Sequence, residues 1–184
     1  LEYQNRQSRG PRSESPDGEL HVINADGSGL TQITANPDSE DTSYETYSPS
    51  WSPDGVEVAY QSVRYDNSDI YVIDVDTASE VQVTTDPDWD FWAAWSPSGA
   101  EIAFSSWRDG DAEVYTFDTD TGFIAQLTDN SAYYDAKPSW SPDGTMIAFE
   151  SDRDSDGEDS NSNIYVMYAD GSGQTPLTFD TSAD

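Results

Sequence analysis

The chain has 184 residues, with 37 Asp and Glu against 7 Lys and Arg, so its formal net charge is −30. That charge excludes nucleic acid as a partner, because phosphate binding needs a basic stripe, and it opposes anionic membrane surfaces. There is no Cys and only one His, which removes disulfides, thiol chemistry and most His-based catalytic or zinc sites.

No apolar run approaches the ~20 residues of a membrane helix, so no membrane insertion is expected. The chain opens Leu1-Glu2-Tyr3 without an initiator Met, the pattern of a processed or excised piece. Low hydrophobicity with high charge is also a mark of disorder. Against that stand six Trp and eleven Tyr, and apolar residues that recur at a fixed period.

In chain order, Leu1-Glu2-Tyr3-Gln4 reads as a first strand, and Leu20-His21-Val22-Ile23 and Thr31-Gln32-Ile33-Thr34 as the next two. A longer unit then repeats three times. Ser50-Trp51-Ser52-Pro53-Asp54-Gly55 returns as Ala94-Trp95-Ser96-Pro97-Ser98-Gly99 and as Ser139-Trp140-Ser141-Pro142-Asp143-Gly144, at spacings of 44 and 45 residues. Three further tracks keep this period: Val58-Ala59-Tyr60 with Ile102-Ala103-Phe104 and Ile147-Ala148-Phe149; Arg64 with Arg108 and Arg153; and Ile70-Tyr71-Val72 with Val114-Tyr115-Thr116 and Ile164-Tyr165-Val166. A period near 45 with several short strands per unit is the mark of a propeller blade.

Each unit reads as strands A to D. Strand A carries the Trp, and the Ser-Pro-Asp-Gly turn leads into strand B. Strand C is the Ile-Tyr-Val run. Short Asp-led turns such as Asp170-Gly171-Ser172-Gly173 lead into strand D, which ends on Thr. The expected fold is an all-β propeller of about four four-stranded blades in one domain, 1–184. Blade boundaries fall near 1–34, 35–84, 85–128 and 129–184. The first blade lacks strand A, leaving fifteen strands and an open edge that a neighbour could fill.

The unit "PSWSPDG…IAF…RD…IYVM…ADGSG…LT", fullest from Pro138 to Thr178, resembles the TolB-type propeller repeat, a relative of the WD-repeat blade. The resemblance covers nearly the whole chain. It implies the fold, and it implies a family that mixes periplasmic scaffolds, surface proteins and propeller domains joined to peptidases. Ser98 departs from the pattern where the other repeats have Asp, and the Asn5–Gly18 connection, with Arg6, Arg9 and Arg12, is the least family-like part.

Alternating strand direction sorts the loops into two faces. B–C loops and inter-blade D–A loops share one, which is expected to be long, irregular and rich in aromatics and acids. The candidate partner-binding face comprises Tyr44, Tyr47, Trp89, Asp90, Phe91, Trp92, Trp107, Tyr133, Tyr134 and Asp135. The alternative is that these acids solubilise and the aromatics cap the core. Asp90 and Asp135 each precede a strand A Trp by five residues and are expected near the axis.

The sharpest local motif is Asp152-Arg153-Asp154-Ser155-Asp156-Gly157, whose alternating oxygens followed by Gly match the first half of a calcium loop. Asp152, Asp154, Asp156, Asp159 and Asn161 are the candidate Ca²⁺ ligands. Position 12 is Asn163 rather than Glu and a strand follows, so an ordinary acidic loop is the competing reading. Arg64, Arg108 and Arg153 read as structural, each pairing with an acid or a carbonyl. The three strand A Trp read as core, and His21, at the phase of Tyr71, as a packed side chain. No Gly-x-Ser-x-Gly elbow is present, and with 37 acids a close carboxylate pair carries no specificity, so no catalytic residue is assigned.

Three functions compete. One is an extracytoplasmic, non-enzymatic, calcium-stabilised module that docks a protein partner. The second is a subunit of an extracellular polymer that meets identical subunits through the open blade edge. The third is the propeller domain of a larger hydrolase.

Overall fold

The computed structural model describes residues 18–35, 43–130, 133–153 and 162–178. All its regular structure is β. The strands are β1 (His21–Val22), β2 (Thr31–Gln32), β3 (Glu45–Trp51), β4 (Glu57–Arg64), β5 (Asn67–Asp74), β6 (Glu80–Gln82) and β7 (Asp90–Trp95). They continue as β8 (Glu101–Ser106), β9 (Glu113–Asp118), β10 (Ile124–Gln126), β11 (Asp135–Trp140), β12 (Met146–Ser151), β13 (Asn163–Tyr168) and β14 (Thr175–Pro176). Three antiparallel sheets follow chain order, β3-β4-β5-β6, β7-β8-β9-β10 and β11-β12-β13-β14, and β1-β2 form a two-stranded sheet. These are three A-B-C-D blades preceded by strands C and D of another. The expected strand at Leu1–Gln4 lies outside the described residues.

The repeat is legible in the packing. One face of each central strand pair is small and branched, the other large, and facing blades interlock. Ala59, Ile70 and Val72 of the second blade meet Ile102, Phe104 and Tyr115 of the third, with Trp95 against them. Ala103 and Val114 of the third meet Ile147, Phe149, Tyr165 and Met167 of the fourth, with Trp140 against them. Leu20 and Ile33 cover Val58, Tyr60, Tyr71 and Ile73. Fully burying side chains of this size contributes about 1.5–3 kcal/mol each.

The Thr that closes each strand D has a defined task. The Oγ1 atoms of Thr34, Thr84, Thr128 and Thr178 accept the backbone N–H of Leu20, Ile70, Val114 and Ile164 at 2.8, 2.9, 2.8 and 2.8 Å. Each thus anchors the short strand D to the start of strand C, where the ladder is too brief to hold alone. On the opposite face the Ser-Pro-x-Gly turns are built alike. Ser52, Ser96 and Ser141 take the N–H five residues on at 2.9, 3.1 and 3.0 Å. Gly55, Gly99 and Gly144 supply the positive φ that each turn requires.

Two expectations are corrected. Trp95 and Trp140 are half-buried core, whereas Trp51 is 50% exposed. His21 is exposed rather than packed; its Nδ1 lies 3.2 Å from the Glu19 carbonyl oxygen.

Candidate functional site

The innermost strand of each of the three four-stranded blades carries the same irregularity. Pairing slips between Tyr47 and Ser50, between Phe91 and Ala94, and between Ala136 and Ser139. The bulged residues Ser48, Trp92 and Lys137 have φ of 51, 55 and 55°. None is Gly, and a bulky residue in this region is an outlier that surrounding structure must hold. A bulge re-aims a side chain and bends the strand. Here it turns Ser48 and Trp92 into a cleft on the B–C/D–A face.

That cleft has a volume of about 1000 Å³ and is open to solvent across three blades. Its wall is made by Tyr47, Trp89, Phe91, Trp92, Trp107 and Tyr134, with Ser43, Glu45, Ser48, Gln61, Val63, Asp66 and Asp88 between them. Phe91 and Trp92 meet edge to face at 4.7 Å, and Tyr134 lies 6.2 Å from Trp92 and 6.4 Å from Trp107. Such pairs contribute about 0.5–1.5 kcal/mol beyond area and fix ring orientation. Tyr47, Trp89 and Trp107 are nonetheless 44, 50 and 42% exposed, so large apolar surfaces stay open in a concave site.

The ten residues expected on this face separate into groups. Tyr47, Trp89, Phe91, Trp92, Trp107 and Tyr134 come together in the cleft. Tyr133 is exposed but outside its wall. Tyr44 is buried, with the Arg64 guanidinium 5.5 Å from its ring centroid. Asp90 and Asp135 are corrected: both are 0% exposed. Arg108 Nη2 donates to Asp90 Oδ1 and Oδ2 at 3.0 and 3.2 Å, and Arg153 Nη2 donates to Asp135 Oδ2. They lock strand A to the start of the B–C loop beneath the face. In the second blade Thr46 holds the equivalent position, and Arg64 turns instead to Glu80 at 2.8 Å. Each Arg also lies over a strand C ring, at 3.8 Å for Tyr71, 4.7 Å for Tyr115 and 4.8 Å for Tyr165.

The B–C connections are also less uniform than expected. In the second blade the connection is only Tyr65-Asp66, both at positive φ, which is the type I′ hairpin geometry. Asp66 reaches the cleft from this turn, and its N–H donates to Ser43 Oγ at 2.9 Å. Asp66, Ser48, Gln61 and Val63 were not marked by sequence. A positive-φ Tyr-Asp pair lacks the Asn-Gly signal, and a bulge residue that is Ser, Trp or Lys lacks any.

Beneath the face lie buried acids whose charge is disfavoured. Burial pushes the Asp69 carboxyl up to about 6, with Asp90 adding to the shift. Burial pushes Glu113 up to about 7, and Asp135 and Asp111 add to it against hydrogen bonds from Thr128 and the Asn130 N–H. Asp152 Oδ1 accepts the Tyr134 N–H at 2.6 Å. The other candidate calcium ligands, Asp154, Asp156, Asp159 and Asn161, lie outside the described residues. Among the described residues no group of three or more His, Cys, Asp or Glu is arranged to hold a metal ion, and no helix is long and apolar enough to cross a membrane.

Fold and face define a β-propeller blade array with an aromatic, acid-rimmed cleft between blades. The TolB beta propeller domain family matches residues 10–184, and the chain belongs to that family. It is 41% identical over 66 residues to the Tol-Pal system protein TolB of Hahella chejuensis, a match covering 36% of this chain and 14% of that protein. It is similar to the solved structure of a putative TolB from Agrobacterium tumefaciens, with a TM-score of 0.76 and 27% identity over 90% of this chain and 58% of that one. TolB from Acinetobacter baumannii shares the fold, at a TM-score of 0.70 and 24% identity over 88% of this chain and 38% of that one. The chain therefore spans little more than half, at most, of the length of these relatives.

Proposed function

We propose that the chain is a non-enzymatic protein-docking propeller that works outside the cytoplasm, with the B–C/D–A cleft as its docking site. The observation that carries this reading is the cleft, which keeps Tyr47, Trp89 and Trp107 exposed in a concave wall stiffened by ring-on-ring packing. Exposed aromatic anchors in pockets are the usual source of binding energy at protein interfaces. Two facts add support. A curated relative is named as a Tol-Pal system protein. Among the described residues, the one imidazole, that of His21, lies against a backbone carbonyl, that of Glu19.

The test is selection of a random extended-peptide library on the immobilised chain, repeated on Trp89→Ala/Trp107→Ala. Peptides that bind the parent and lose at least about tenfold in affinity on the variant support the reading. Enriched peptides indifferent to both tryptophans overturn it.

The proposal includes a Ca²⁺ ion on the Asp152 segment, supported by the alternation of Asp152, Asp154 and Asp156 followed by Gly157. Calorimetric titration with CaCl₂ should give saturable binding that Asp154→Asn/Asp156→Asn removes; equal heats from parent and variant would refute it.

A second reading, assembly of identical subunits, is favoured by one surface. Ala148, Ile164 and Val166 on β12 and β13 are half-exposed, where their counterparts Ala59, Ile70 and Val72 are buried by the next blade. Sedimentation at micromolar concentration decides it: a single 20.3 kDa species excludes assembly, and a concentration-dependent series supports it.

A further inference from the structure

We infer that the cleft takes a cationic segment, in which Lys or Arg side chains of an extended partner chain lie against the indole faces with their charges on the cleft carboxylates. This rests on the docking reading above and names the chemistry of the partner.

The charged residues of the wall are Glu45, Asp66 and Asp88, and none is basic. The described basic residues are already committed to acids: Arg64 to Glu80, Arg108 to Asp90, Lys137 to Glu150 and Arg153 to Asp135. Among the described residues, then, no internal cation is paired with Asp66 or Asp88. Both backbones are held in place. The Asp66 N–H donates to Ser43 Oγ at 2.9 Å, and the Asp88 N–H to Asp86 Oδ1 at 3.0 Å. Both side chains are exposed at the rim.

The molecule also displays the proposed contact. Lys137 Nζ lies 5.0 Å from the Trp92 ring centroid while it pairs with Glu150 at 2.7 Å. An ammonium over an indole with a carboxylate beside it is the arrangement assigned to the partner's side chains at Trp89 and Trp107. An apolar wall alone would accept a neutral segment equally well. The exposed rim carboxylates, within a chain of net charge −30, favour basic segments and repel acidic ones. A sugar would stack on the same rings but would gain nothing from the charge.

The experiment titrates the full chain with three peptides, (Lys-Gly)₄, (Ser-Gly)₄ and (Glu-Gly)₄, following tryptophan fluorescence. It is repeated on Asp66→Asn/Asp88→Asn, on Trp89→Ala/Trp107→Ala and on a charge-matched control from the opposite face, Asp76→Asn/Asp120→Asn. The Lys peptide is expected to bind one to one, with about tenfold weakening in each cleft variant and less than twofold in the control. Equal weakening in the control and in Asp66→Asn/Asp88→Asn would reduce the effect to net charge and overturn the inference. Tryptophan-dependent binding of the Ser peptide as tight as that of the Lys peptide would overturn the inference and leave the docking reading standing. Binding of every peptide unchanged in the tryptophan variant would overturn both.

Discussion

The two loop faces of this propeller use the same residue types for opposite ends. On the face of the Ser-Pro-x-Gly and C–D turns, acids are consumed locally. Asp54 accepts from Ser52 Oγ and the Val56 N–H, and Asp143 does the same with Ser141 and Thr145. Asp26 and Asp170 take the N–H and Oγ of Ser28 and Ser172, and Asp74 and Asp118 take those of Thr77 and Thr121. Each of these carboxyls is lowered from its ordinary value by those hydrogen bonds, Asp143 to about 2. On the B–C/D–A face, Asp66 and Asp88 stand at the rim of an aromatic cleft, and Asp90 and Asp135 are sunk beneath it with arginines. One face spends its acids on repeating the blade; the other leaves room for blades to differ. A conserved backbone plan with one variable face is what a binding scaffold requires.

The largest expected effect breaks the buried layer under the cleft. Arg108→Ala leaves Asp90 buried without its cation and should cost about 3–5 kcal/mol. Arg64→Ala should cost only about 1 kcal/mol, because the partner Glu80 reaches solvent. Urea denaturation of the two variants checks the contrast, and equal losses would show that the blades do not differ there. Next comes the cleft itself. Trp89→Ala/Trp107→Ala should lose at least about tenfold in affinity for selected peptides while shifting stability by no more than about 1 kcal/mol, since both rings are half-exposed.

The acid beneath the face gives a pH signature. Glu113 is pushed up to about 7, so the folded state favours its protonated form. Its contribution is full below the unfolded value near 4.5 and is lost as pH rises from there through about 7. Glu113→Gln should therefore raise Tm at pH 8 by about 2–4 °C, the size of a 1 kcal/mol gain in a chain of this length, and leave it unchanged at pH 4.5. Thermal melts at the two pH values check the sign.

The smallest effect lies on the other face. Ser98 stands where its counterparts are Asp54 and Asp143, and it takes the Ala100 N–H at 3.3 Å, against 3.1 Å in each Asp turn. Ser98→Asp should gain about 0.5–1 kcal/mol by supplying the charged acceptor.

Much of the blade plan was readable because each period places the same residue types in the same turn. The Trp-Ser-Pro-x-Gly unit marks a turn whose Ser and Gly have defined geometric tasks, and the Ala-Phe and Ile-Tyr-Val tracks mark the central strands by alternation. The site was only half readable. Tyr47, Trp89, Phe91, Trp92 and Tyr134 are marked by aromatic density around the inter-blade connections, and Trp107 by its place at the start of a B–C loop. Asp90 and Asp135 look identical in sequence to surface acids, and only the fold reveals that Arg108 and Arg153 draw them inward. Ser48 and Asp66 carry no signal, since their positive φ is imposed by the bulge and the hairpin rather than by their own preference. Trp51 shares the sequence pattern of Trp95 and Trp140 and yet is 50% exposed, a difference the repeat does not mark.

The central claim is that ligands engage the B–C/D–A face and not the turns opposite. Hydrogen exchange with and without the tightest library-selected peptide tests it most directly. The account predicts new protection at residues 63–67, 88–92 and 107–112 and none at residues 52–56, 96–100 and 141–145. Protection at the second set, with the first unchanged, would contradict it.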